Sequence, residues 1–164
     1  MRVARVRNFL KYWLPVLLWM TVIFSASADT GSSQRSSRLI EPFVRWLFPG
    51  VSEPVVEAVV FYVRKCAHVT EYAILALLLW RALRKPVPND RRPWSRAQIA
   101  LVMGIVVIYA TSDELHQRFV PNRQGTFHDV LIDTTGAALG LFVWWGVTRW
   151  WQRRREAKAE EARS

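Results

Sequence analysis

The stretch that decides the fold is "SDELHQRFVPNRQGTFHDVLID", residues 112–133, which concentrates acidic, basic and histidine side chains between two apolar segments. The segments on either side, 99–110 and 136–147, are almost wholly apolar. A helix needs about 20 predominantly apolar residues to cross the hydrocarbon core of a membrane. The pattern therefore predicts two membrane-spanning helices joined by a short polar hairpin, with ionisable groups at membrane depth.

Two further apolar segments, 14–28 and 73–80, extend this pattern towards the start of the chain. The 164 residues are 51% hydrophobic, and the apolar residues are clustered in segments with charges at their edges. We expect an all-α membrane protein, a bundle of four transmembrane helices at about 10–28, 64–83, 98–117 and 129–150. These form one domain, residues 1–155, followed by a charged tail, residues 156–164.

The first connection contains a loop-like stretch rich in Ser and Gly, residues 29–38, and then "LIEPFVRWLFPG", residues 39–50. The second part mixes apolar residues with Glu41 and Arg45, as amphipathic helices do, and Pro-Gly ends it. We predict a short amphipathic helix at the outer membrane interface.

The net charge of +10 comes from basic residues that flank the apolar segments. Because basic residues accumulate on cytoplasmic loops, the flanks place both termini in the cytoplasm and the protein in the cytoplasmic membrane. The most basic connection, residues 81–96, is then cytoplasmic. Nucleic-acid binding is not expected, since the charges form no basic helix or zinc motif. The single Cys66 excludes an intramolecular disulfide.

The first helix has a second interpretation. A basic start, an apolar run and "ASA" at 26–28 also fit a secretory signal peptide cleaved after Ala28. Both interpretations bring the chain to the outer side at Asp29, so the later topology is the same.

Under this topology the polar residues of three helices meet at the outer side. They come from the outer end of the second helix, from residues 112–117 of the third helix, and from Asp129 and Asp133 in the fourth. Helical spacing puts His68 and Glu71 on one face, and Gly136 and Gly140 continue the face of the two aspartates as a GxxxG pattern. A charged group at the membrane centre costs at least about 2.5–3.5 kcal/mol, so such groups are functional candidates.

We assign candidate roles by side-chain chemistry. General acid–base candidates are His68, Glu71, Asp113, Glu114 and His116. Binding candidates are Arg64, Lys65, Ser112, Gln117, Arg123, Asp129 and Asp133. A divalent metal held by His68, Glu71, Asp113 or Glu114, and His116 is a further hypothesis, although the spacing matches no established metal motif. For any one residue the simpler explanation is structural, for example a basic side chain reaching the headgroups or Asp129 stabilising a helix start.

Three motifs carry a resemblance to a known family: "RKCAHVTEY" (64–72), "SDELHQRFVPNR" (112–123) and "DVLIDTTGAALG" (129–140). Their order and spacing resemble the VanZ-like membrane proteins, with Asn122 where that family often has Gly. The resemblance implies a multi-pass envelope protein, whose namesake is associated with resistance to the glycopeptide teicoplanin. It implies no particular reaction.

Three functional classes remain open. The first is a non-catalytic membrane factor whose outer polar pocket binds a lipid headgroup or another lipophilic anion, such as a lipid-linked phosphate, and so contributes to glycopeptide tolerance. The second is a membrane-embedded lipid hydrolase or transferase that uses His, Asp and Glu. The third is a proton-coupled transporter, for which four short helices offer little room. No sequence pattern defines an oligomeric state.

Overall fold

The computed structural model describes residues 2–28, 32–87, 90, 92–120 and 125–162. These residues form helices and no strand. The helices are α1 (Arg2–Tyr12), α2 (Leu14–Ala28), α3 (Ser32–Leu47), α4 (Glu53–Arg84), α5 (Arg96–Gln117) and α6 (Phe127–Glu161). Three of them, α4, α5 and α6, are long and apolar enough to cross a membrane, and α1 with α2 makes a fourth if the bent pair is one span. The predicted all-α membrane fold is confirmed.

The first predicted span is bent by 41° between α1 and α2. Pro15 explains the bend, because proline cannot donate a backbone hydrogen bond and its ring collides with the carbonyl four residues earlier, that of Lys11. The guanidinium of Arg81 in α4 donates to this same Lys11 carbonyl, at 3.2 Å. The break in the helix is thus satisfied by a neighbouring helix.

Two segments are more helical than expected. The loop prediction for residues 29–38 is wrong over Ser32–Arg38, which belong to α3, while residues 29–31 lie outside the described part of the chain. Val44 anchors α3 against Val56 and Val60 of α4, and a helix extends readily through Ser, Gln and Arg once it is nucleated. At the other end of the chain, α6 continues through the predicted tail to Glu161. The interfacial position of α3 stays a prediction.

Helices α4 and α6 run parallel and in close contact. The pairs Lys65–Asp129 and His68–Asp133 advance together along both helices. One turn further on, a Cβ atom on Gly136 would lie 2.5 Å from the Val69 carbonyl oxygen. The GxxxG pattern therefore lets α4 approach the backbone of α6, as predicted.

The buried core lies among α2, α4, α5 and α6 and contains Tyr72, Leu75, Leu79, Val102 and Val106. Large apolar residues on the outward faces are exposed, for instance Ile108 at 72% and Phe142 at 67%. Such an exposed apolar surface suits lipid rather than water. We call the end of the bundle where α5 ends and α6 begins the α5–α6 end, and the end where α4 ends and α5 begins the α4–α5 end.

Candidate functional site

A histidine–aspartate pair lies between α4 and α6. His68 Nδ1 is 3.3 Å from Asp133 Oδ1, and the Asp133 side chain is fully buried. The two atoms are close enough for an ion pair but are not aligned for a hydrogen bond. The Gly136 contact one turn away sets this separation, because it holds the two helix backbones together.

A second polar group joins α2 to α5. The Ser27 hydroxyl donates to Asp113 Oδ2 at 2.7 Å. Gln117 Nε2 lies 3.2 Å from Asp113 Oδ2 and 3.3 Å from Glu114 Oε1, so it bridges the two carboxylates. Helical spacing brings Asp113, Glu114 and Gln117 together at the end of α5, and all three are buried.

Tyr72 connects the two groups. Its side chain is fully buried, and its hydroxyl lies within electrostatic range of Asp133, Asp113 and Glu114. We refer to His68, Tyr72, Asp113, Glu114 and Asp133 as the polar cluster.

Several buried atoms of the polar cluster have no hydrogen-bond partner among the described residues. They are His68 Nδ1, the Tyr72 hydroxyl, Asp113 Oδ1 and both carboxylate oxygens of Asp133. A buried polar atom without a partner costs about 1–3 kcal/mol, so the cluster can accept donors from a bound molecule or from water.

The hairpin between α5 and α6 covers one side of Glu114. The backbone N–H of Thr126 donates to Glu114 Oε2 at 2.9 Å. Gly125 is required here, since a Cβ atom would lie 2.0 Å from the Glu114 carbonyl oxygen. A cleft of about 200 Å³ beside Glu114 is lined by Thr111, Glu114, Leu115, Arg118, Thr126, Phe127 and Val130.

The predicted basic residues lie unequally around the cluster. Lys65 forms an ion pair with Asp129, one turn before Asp133 on α6. Arg64 is half-buried on α4. Arg123 falls outside the described residues, as does Asn122.

Three other predicted residues face elsewhere or act differently. The His116 ring packs against Phe24 of α2, with 4.5 Å between ring centroids. Ser112 is exposed, and its hydroxyl donates back to the Tyr109 carbonyl of its own helix. Glu71 lies within electrostatic range of His68, but Asp133, which we assigned to binding, is the carboxylate in contact with the imidazole.

The donor side chains of the metal hypothesis do not converge on one point. Among the described residues, no group of three or more His, Cys, Asp or Glu side chains is arranged so that it could hold a metal ion. The contacts within the polar cluster are hydrogen bonds and an ion pair.

Sequence reasoning missed Ser27, Tyr72 and Thr126. Tyr72 is four residues after His68 and hence on the same helical face, a signal that the spacing rule could have detected. Thr126 precedes α6 as its N-cap, where Thr is favoured. Ser27 gave no comparable signal, because a serine at the end of an apolar helix has no defined partner in the sequence.

A family model described as VanZ/LLP1 matches residues 12–150, which is most of the chain. No curated protein and no solved structure matches the chain at a significant level.

Proposed function

The chain belongs to the VanZ/LLP1 family, and from this premise we propose that it binds a phosphate-bearing lipid headgroup in the polar cluster. The ligand is a membrane lipid or a lipid-linked phosphate. The protein is then a multi-pass protein of the cytoplasmic membrane, with both termini in the cytoplasm and the α5–α6 end at the outer face.

The charge distribution supports this orientation. The end of α4, the α4–α5 connection and the end of α6 carry dense basic residues, among them Arg84, Arg92 and Arg153. Basic flanks of membrane helices favour the cytoplasmic side. The polar cluster lies at the opposite end, within reach of lipids in the outer leaflet.

The observation that carries the proposal is the set of buried acceptors without partners. Asp133 is fully buried, and neither of its oxygens accepts a hydrogen bond from a described residue. Hydroxyl or ammonium groups of a lipid headgroup would donate to Asp133 and to Asp113 Oδ1. The acidic interior thus favours a headgroup rich in hydrogen-bond donors.

The phosphate of such a headgroup requires cations. His68 and Lys65 lie on successive turns of α4, and Arg64 is next to Lys65. A protonated His68 and the Lys65 ammonium are both point-charge donors to phosphate oxygens, whereas Arg64 can donate two parallel hydrogen bonds. We place the phosphate at this basic side and the donor groups towards α5.

A second candidate function rests on the 3.3 Å contact between His68 and Asp133. A carboxylate facing Nδ1 orients an imidazole, so that Nε2 is the atom that takes a proton during general base catalysis. In this alternative the protein is a membrane-embedded lipid hydrolase or transferase, and His68 activates water or an acceptor hydroxyl.

Binding of geranylgeranyl phosphate to the purified full-length protein tests the first proposal, with geranylgeraniol as the matched ligand without phosphate. We expect tighter binding of the phosphate, and a loss of about tenfold or more in His68→Gln, where the imidazole charge is removed. Ser112→Ala is the control, because that exposed hydroxyl donates to the Tyr109 carbonyl of its own helix. Equal binding of the two lipids, or equal loss in both variants, would contradict the proposal.

The antibiotic role has a separate test. Expression in a susceptible cell should raise tolerance to teicoplanin, and Asp133→Asn should remove the increase at an unchanged protein level. If Asp133→Asn accumulates normally and protects fully, the polar cluster has no part in tolerance. Release of phosphate or of a fatty acid from added lipid, lost in His68→Gln, would favour the enzymatic alternative.

A further inference from the structure

A membrane-facing groove lies between α5 and α6, close to the α4–α5 end. Its volume is about 600 Å³. The apolar part of the lining includes Ile99, Met103, Leu141 and Phe142, while Trp94 and Trp145 stand nearer the α4–α5 end. Tryptophan is favoured at the level of lipid headgroups, so this end of the groove is placed at the membrane interface.

Two arginines complete the lining at the same end. Arg96 begins α5 and Arg149 lies near the end of the apolar part of α6. Neither forms an ion pair with a carboxylate among the described residues, and Arg149 instead lies over the Trp145 ring, 5.7 Å from its centroid. Both side chains are exposed, so both can reach a ligand at the interface.

Other cations at this end are already engaged. Arg84 is buried and donates to Asp90, with Nε 3.0 Å from Oδ2, and Arg92 donates to the same carboxylate at 2.7 Å. Arg96 and Arg149, by contrast, line the groove and are not paired with a carboxylate in the described part of the chain.

We propose that this groove binds a phospholipid with an anionic headgroup. One acyl chain lies along the apolar wall, and the phosphate is held between Arg96 and Arg149. Guanidinium groups pair with phosphate oxygens in a bidentate manner, which suits a headgroup with net negative charge. Basic grooves between membrane helices at the cytoplasmic side are suited to such lipids.

This site is separate from the polar cluster. It lies at the opposite end of the bundle and shares no residue with it. Under the proposed orientation it faces the cytoplasmic leaflet, where anionic lipids accumulate. Its chemistry also differs, since its described lining presents two cations and no acidic side chain, whereas the polar cluster is rich in carboxylates.

Native mass spectrometry of the full-length protein tests the proposal. The protein is released from micelles that contain equal amounts of phosphatidylglycerol and phosphatidylcholine with the same acyl chains. We expect phosphatidylglycerol adducts to exceed phosphatidylcholine adducts by about thirtyfold, the ratio that corresponds to roughly 1 kcal/mol for each of the two arginines near an anionic headgroup. The double variant R96Q/R149Q should bring the ratio close to one.

Two matched controls separate binding in the groove from the effects of net charge and of an added bulky side chain. R7Q/R153Q removes the same charge from the same end of the protein and should keep the preference. Ala138→Trp fills the groove and should lower both adducts at least fivefold, while Leu139→Trp, on an exposed neighbouring position outside the groove lining, should not.

The proposal is overturned if R7Q/R153Q reduces the ratio as much as R96Q/R149Q, because charge alone would then explain the preference. It is also overturned if Ala138→Trp retains lipid as the unchanged protein does. Binding of geranylgeranyl phosphate at the polar cluster should be unaffected by all four variants. The proposal for the groove and the proposal for the polar cluster can therefore fail independently.

Discussion

Replacing Gly136 by alanine tests the close contact of α4 and α6 that brings His68 beside Asp133. The added Cβ would lie 2.5 Å from the Val69 carbonyl oxygen and 2.7 Å from its Cα. Ordinary van der Waals contact begins at 3.4 Å. Both neighbouring atoms belong to the helix backbone, so no side-chain rotation can relieve the collision. The two helices must move apart by roughly 1 Å, an overpacking change of the kind that destabilises a core.

The expected loss of stability follows from two opposing effects. Overpacking costs typically about 1–3 kcal/mol, while alanine favours a helix over glycine by up to about 1 kcal/mol. Because the collision is with backbone atoms, the overpacking cost lies towards the upper end of that range, so the net loss for Gly136→Ala is about 2 kcal/mol. Gly146→Ala is the matched control on the same helix, because nothing lies within 4 Å of a Cβ at that position. It should be neutral or slightly stabilising.

The free energy of unfolding can be measured by titration with sodium dodecyl sulfate in mixed micelles, followed by circular dichroism. Gly136→Ala should shift the midpoint to lower detergent fraction, and Gly146→Ala should not. Equal midpoints for the two variants would refute the inferred α4–α6 contact, and with it the geometry of the His68–Asp133 pair.

Three further predictions concern individual polar contacts. Ser27→Ala removes the hydroxyl that donates to buried Asp113, so we expect a loss of about 1–2 kcal/mol in the same detergent titration; an unchanged midpoint would show that α2 does not pack there. Lys65→Gln and Asp129→Asn should each lower the free energy of unfolding by about 1 kcal/mol, and the double variant should lower it no more than the larger single loss. Fully additive losses would argue against the ion pair. The guanidinium groups of Arg92 and Arg84 hold the pKa of Asp90 well below its ordinary value. Because the folded pKa is lowered, the stabilisation is present above about pH 4 and disappears as the pH falls further. From pH 6 to pH 3 the midpoint of thermal unfolding should therefore fall more steeply in the unchanged protein than in Asp90→Asn. Parallel curves for the two proteins would contradict the interaction.

The membrane fold could be predicted from the sequence because apolar segment length and charged flanks are local properties. The bounds of α5, Arg96–Gln117, lie close to the predicted third span, 98–117, whereas α4 begins at Glu53, well before the predicted second span at 64–83. The bend at Pro15 was missed. The bend frees the Lys11 carbonyl, which accepts a hydrogen bond from Arg81 of another helix. No local sequence pattern reveals that partner.

The candidate site was predicted at the level of helix ends but not of atomic pairs. Periodicity placed His68 and Asp133 on facing helices, and the GxxxG pattern indicated their close approach. Which carboxylate meets His68 depends on the relative rotation of α4 and α6, and Glu71 was an equally reasonable choice from spacing alone. His116 has suitable chemistry and position along the chain, but the rotation of α5 turns its ring towards Phe24.

The most direct test of the proposed function is an experimental structure of the full-length protein in a bilayer that contains its own membrane lipids. The account predicts headgroup density within hydrogen-bonding distance of Asp133, with the phosphate next to His68 and Lys65 and the acyl chains leaving towards the outer leaflet. Well-ordered side chains of His68, Tyr72 and Asp133 with only water between them would contradict it.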